Sequence, residues 1–349
     1  MTIFRASAVF GCLLLLPAVI PLRGVEQTYH LHAGDMMIEI IADTSRLERR
    51  FGPRFDGTAS VASVSTPAHT YLAEAGLADE FGLEGVGVLG YREASLGGSF
   101  VKIGVGLLKR DVETKYRFQH PYPVVRRFPV KVEATAASVR VTQVSEPFSG
   151  YQYRYEKTYR PAGSKGLVIE YVLTNLGSKQ FSFEHYNHNF FAFDGEGGSE
   201  NYTVTAAFSW PAEPAAGWRL DGRKRLVLSS QLTGLSGVYW GVPVEIAASQ
   251  HRVILQHRKG IAVVITGDSD AVRFAIWADG GAICPELFIH RELPSGGTTR
   301  WTRTYHFVTA TAMDGTVLRA ESRPSAGRIA LDKNVRPGGR CSVRAFSPG

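Results

Sequence analysis

Two short stretches concentrate side chains that can move protons. The first, Glu184 to Gly195, reads Glu-His-Tyr-Asn-His-Asn-Phe-Phe-Ala-Phe-Asp-Gly. The second, Trp277 to His290, reads Trp-Ala-Asp-Gly-Gly-Ala-Ile-Cys-Pro-Glu-Leu-Phe-Ile-His. Imidazoles titrate near neutrality and serve as acid or base. Glu286 lies between apolar neighbours, where an ionised carboxylate is costly without a partner or a task. Burial raises a carboxyl pKa towards the range of a general base. An equally weighted reading makes Glu286 a structural carboxylate paired with Arg273 or Arg303.

Strand alternation sorts these residues by face. Beginning at Phe181, His185 shares a face with Phe181 and Phe183, which favours a core histidine. Glu184, Tyr186 and His188 share the other face, and His188 is expected where the strand breaks into a loop. Loops leaving a rigid sheet often carry chemistry. In the second stretch Cys284, Glu286, Phe288 and His290 share a face. Because His185 and His188 point opposite ways, a metal held by both is not expected. No nucleophile-elbow sequence is present.

The elements that position these groups read as strands. From Thr114 to Val308 apolar alternation recurs between turn signals such as Asn175-Leu-Gly-Ser, Asp221-Gly222 and Ser295-Gly296-Gly297. This spacing indicates antiparallel sheets rather than βαβ units. The expected fold class is all-β, a large antiparallel β-sandwich. Upstream, Thr28 to Ile41 reads as a hairpin about Gly34-Asp35, Ala59 to Val64 as a strand and Leu72 to Leu83 as one short helix. The glycines between Gly82 and Gly106 suit hairpins better than a phosphate loop, since β-branched and aromatic residues separate them. Tyr151, Tyr153 and Tyr155 share one strand face. Cross-strand packing is favoured for them over a sugar-binding platform.

The 349 residues carry a formal net charge of +7. Much of the excess lies after Arg319, so the body is near balance. With no nucleic-acid-binding module in view, that partner class is not expected. Residues 1–24 read as an export signal: Arg5, then an apolar run too short for a comfortable membrane span. A retained N-terminal anchor is the competing reading. The protein is therefore expected to be exported, periplasmic or extracellular, with no stable membrane span after cleavage. Residues 25–315 form the sandwich domain, and 316–349 a basic tail without fixed structure. Cys284 is expected as a small buried residue and Cys341 as incidental. Asn201-Tyr-Thr fits a glycosylation acceptor.

Asn187-His188-Asn-Phe190-Phe191 resembles the Asn-His-x-Tyr/Phe-Phe/Trp motif of aldose 1-epimerases, the galactose mutarotase family. Cys284-Pro-Glu286 followed by Leu293-Pro-Ser-Gly is similar to that family's C-terminal segment. The resemblance implies a galactose mutarotase-like supersandwich and an isomerase acting at a sugar's anomeric carbon, without metal or organic cofactor. Carried over, His188 is the acid that protonates the ring oxygen, and Glu286 the base that takes the anomeric proton. The candidate substrate-binding residues are His185, Tyr186, Asn187, Phe190 and Trp277, with Arg92 and Lys102 as early cations. The reading requires His188 and Glu286 in one open pocket, about a sugar ring apart. Two alternatives stand beside it: a non-catalytic carbohydrate-binding protein stacking sugars on Trp277, Tyr186 and Phe190, and a polysaccharide lyase relative. In each case the partner is a carbohydrate, and no oligomeric state follows from the sequence.

Overall fold

The computed structural model describes residues 27–42, 45–215 and 217–309. The signal segment, the basic tail and Cys341 lie outside these residues. Three antiparallel sheets account for most of the described chain. An eight-stranded sheet runs in the order Gln27–Ala33, Met36–Ala42, Ala59–Ser65, Leu72–Phe81, Phe181–Phe191, Ile283–Leu293, Ala271–Ala278 and Val238–Ile246. A ten-stranded sheet has Thr298–Thr309, Gly166–Asn175 and Tyr153–Ala162 near its middle. A four-stranded sheet comprises Val88–Leu89, Ser99–Lys102, Gly106–Lys109 and Val124–Arg127. This is the expected all-β sandwich. Among the described residues no helix is long and apolar enough to cross a membrane.

Alternation builds the layers. In Gly166–Asn175, every second residue from Leu167 to Leu173 is fully buried, and in Tyr153–Ala162 the same holds for Tyr153, Tyr155, Lys157 and Tyr159. Tyr153 and Tyr155 are therefore core packing, as favoured, while Tyr151, just before the strand, packs on the core and also borders a cleft. Between the two large sheets Trp301 stacks on Tyr171, with ring centroids 5.1 Å apart, and meets Phe81, Phe183 and His185 edge-on or tilted.

This interior also holds charge. Lys157, fully buried, contacts Asp56 at 2.8 Å and Asp79 at 2.9 Å. Tyr171 donates to Asp79 at 2.8 Å. Burial pushes the Asp79 carboxyl up, but Lys157 and His185 outweigh it and hold it below the ordinary carboxylate range. Arg303, also buried, donates to Asn187 Oδ1 at 3.1 Å and to the Leu287 carbonyl at 3.0 Å.

Two expectations are corrected. Leu72 to Leu83 is not a helix: Leu72–Phe81 is a strand in the middle of the eight-stranded sheet. Its alanines, leucines and glutamates favour helix in isolation, but pairing with the Phe181–Phe191 strand prevails. Gly76 adopts a φ of +70°, and a Cβ there would collide with the Val61 carbonyl. The other correction concerns His188, which does not stand at a strand end. The strand continues to Phe191, and the turn begins after it.

Candidate active site

The Phe181–Phe191 strand lies beside the Ile283–Leu293 strand in the eight-stranded sheet. Their ladder runs from Phe181↔Leu293 to His185↔Ile289 and resumes at Phe191↔Ile283. The same register on both sides of the gap puts His188 opposite Glu286. Pro285 has no N–H to give to a ladder. Side chains take the carbonyls instead: Asn189 Nδ2 donates to Pro285 O at 2.7 Å, and Arg303 to Leu287 O. The interruption thus coincides with the position where His188 faces Glu286.

His188 Nε2 and Glu286 Oε1 are 3.3 Å apart. The contact is not aligned as a hydrogen bond, and His188 Nδ1 and Glu286 Oε1 are both buried without one. Phe190 stacks on the imidazole at 4.1 Å, and the Phe55 and Trp277 rings each lie 5.6 Å away. His188 is only 5% exposed and Glu286 3%, so the pair is nearly closed off. It does converge, but in direct contact rather than a sugar ring apart. Burial pushes the Glu286 carboxyl well up, with Arg54 opposing, and pushes the His188 imidazole well down, with Arg54 adding to the effect. Both shifts favour the neutral forms. The suggested arginine partners of Glu286 are engaged elsewhere: Arg273 with Glu84 at 2.7 Å, Arg303 in the interior.

The other candidate residues divide between the two faces of the sheet. Tyr186, Phe190 and Trp277 surround the pair. Tyr186 stacks on Phe288 at 4.1 Å and donates its hydroxyl proton to Glu80. His185 and Asn187 belong to the sandwich interior and cannot touch a ligand over His188. Trp301 Nε1 donates to His185 Nδ1 at 3.2 Å, and Asn187 Nδ2 donates to Asp79 Oδ1 at 2.5 Å. The core reading of His185 holds, and the substrate role suggested for both residues does not fit. Arg92 is exposed and lines a different cleft. Lys102 is fully buried, donates to the Tyr116 hydroxyl at 2.8 Å and lies 3.9 Å from Glu80. Burial brings its ammonium down to about 8. It buttresses Glu80 rather than facing His188.

The early cation at the site is Arg54, which the sequence reading passed over. Its Nε donates to Glu80 at 2.8 Å and its Nη2 to the Tyr186 hydroxyl at 3.0 Å. Its guanidinium covers the Phe55 and Phe118 rings at 4.6 Å and 4.4 Å. The signal was present: Asp79-Glu80 between Ala78 and Phe81 puts one carboxylate on each face of a buried strand, and each demands a cation. Cys284 is buried beside Phe190, as expected. Asn201 is part-buried and its amide donates to Glu196 at 2.6 Å, so a glycan there would have to break that bond.

The architecture matches solved structures. A putative aldose 1-epimerase from Escherichia coli K12 superposes with a TM-score of 0.53 at 12% identity, over 82% of this chain and all of that one. The fold is galactose mutarotase-like. A galactose mutarotase-like protein from Lactobacillus casei ATCC 334 aligns with a TM-score of 0.49 at 13% identity, over 81% of this chain and all of that one. No protein-family model and no curated protein matches the sequence. A galactose mutarotase-like fold by itself does not fix an activity, so function is argued from the site.

Proposed function

We propose that this protein binds a sugar over Trp277, Phe190 and Arg54 and interconverts its anomers, with His188 and Glu286 moving the protons. The reading is carried by one observation: an imidazole and a carboxyl in contact across an interrupted ladder, with a buried polar atom on each left without a hydrogen bond. Ring oxygen and anomeric oxygen share one carbon, so an acid and a base serving them belong side by side. Access requires the short segment carrying Phe51, Arg54 and Phe55 to give way.

In its neutral form the pair holds one proton that can pass between the two groups, besides the imidazole's own N–H. Burial favours that proton on Glu286, which reverses the roles implied by the resemblance. His188 Nε2 then takes the anomeric hydroxyl proton while Glu286 gives its own to the ring oxygen. The bond between the anomeric carbon and the ring oxygen breaks as a carbonyl forms. Rotation and reclosure on the other face return both protons.

A pH profile checks this assignment. An ordinary imidazole base loses its function as pH falls through 6.5, whereas His188 is held well below that value. An ordinary carboxylic acid is ionised above 4.5, whereas Glu286 is held well above it. The anomerisation rate is therefore expected to stay level as pH falls through 6.5, and any limbs belong to the pair as a whole. An acid limb centred at 6.5 would contradict the assignment.

Near-complete burial of both residues favours a second reading, sugar binding without turnover. Polarimetry or NMR of anomer exchange, wild type against Glu286→Gln, separates the two. Equal rates across several aldoses, with glycan binding retained in the variant, would select the second.

A further inference from the structure

The two central strands carry the same pattern in opposite directions. Glu184-x-Tyr186-x-His188 runs against Glu286-x-Phe288-x-His290. Antiparallel pairing turns this into two imidazole–carboxyl pairs about the Tyr186–Phe288 stack. His188 faces Glu286, and Glu184 pairs with His290 in the ladder. His290 Nδ1 lies 3.9 Å from Glu184 Oε1. Glu184 Oε2 is buried without a hydrogen bond, and Arg273 approaches it only to 3.8 Å.

The pairs differ in access. The His290 side chain is 36% exposed, against 6% for His188. His290 opens onto a cleft of about 430 Å³, also lined by Arg92, Tyr151, Gln180, Ser182, Glu292 and the Gly85–Gly90 loop. That volume lies within the range of small-ligand sites, roughly 300–1,000 Å³. The loop is built for close approach. Gly87 has a φ of +106° and lies against the Phe183 backbone, where a Cβ would be 3.3 Å from its Cα. The lining mixes donors and acceptors: Arg92 stands with Glu93 and Glu292, and Glu93 is itself held by Lys179 and the Tyr151 hydroxyl. Such a balance suits neither a phosphate nor a cation. It suits a neutral molecule rich in hydroxyls, each able to donate and accept.

We propose that this cleft is a second saccharide-binding site, with His290 at its inner end, backed by Glu184, and Arg92, Gln180 and Ser182 on its walls. It does not depend on catalysis at Glu286.

The test uses the full chain, isotope-labelled, titrated with methyl α-glucopyranoside and methyl β-lactoside. A methyl glycoside cannot open its ring, so binding is read without turnover. Saturable NMR shifts are expected at the His290 imidazole and the Gly87 and Gly90 amides, unchanged in Glu286→Gln. Loss of one charge-assisted hydrogen bond in Glu184→Gln or His290→Ala should weaken binding about tenfold or more. Arg92→Ala, at an exposed wall position, should weaken it too without disturbing the fold. The proposal is overturned if neither glycoside shifts these signals, if the shifts gather only about Trp277, or if all three variants bind as wild type does.

Discussion

Glu286→Gln is expected to slow anomer interconversion by about 10²–10⁴-fold, the usual contribution of a positioned acid or base. The substitution keeps the side chain's shape. It also keeps a neutral group where burial already favours the neutral acid, so the sheet should remain intact. What it removes is the exchangeable proton. His188 alone can then take a proton from the anomeric hydroxyl but has no partner to return one to the ring oxygen. The decisive comparison is the exchange rate of the variant relative to wild type, measured by NMR at the same protein concentration and with circular dichroism matched. A variant as fast as wild type would remove Glu286 from the chemistry.

The largest stability effect is expected at Lys157. Lys157→Met leaves Asp56 and Asp79 facing each other in the interior without their cation. Breaking a buried ion pair from one side typically costs about 3–5 kcal/mol, a large part of a domain's stability. Denaturant unfolding of the variant should show a loss of that order, or no folded protein. Asp79 adds a pH dependence whose sign follows from its depressed pKa. Its stabilisation is present above the unfolded-state value near 3.8 and is lost as pH falls through and below it. Asp79→Asn should therefore flatten the acid side of the stability curve, even though it lowers stability at neutral pH. An unchanged acid transition would show that the carboxyl is not held low.

Alternation made the pairing of faces legible. It put His188 with Tyr186, Glu286 with Phe288, and His185 with the core, and each holds. Asn187 was drawn into the substrate set by its place beside His188 in a motif, although one residue along a strand means the opposite face. The carboxylates of Asp79-Glu80 signalled a need for cations, but Arg54 was passed over because the strand that carries Glu80 has the composition of a helix. Only pairing with distant segments decides against that. The buried cations were hidden for a related reason. Lys157 and Arg303 meet partners 78 and 116 residues away, and no local pattern announces such a contact.

Ordinary neighbouring strands are held at a fixed distance by their amides and carbonyls, whatever the side chains. At Pro285 that constraint is lifted, and the spacing is set by Asn189 and Arg303. The gap between the two proton-carrying groups is thus written in side chains rather than in the peptide backbone. Single substitutions at Asn189 or Arg303 are expected to change it, which makes this seam the natural place to redesign the protein for ligands of other sizes.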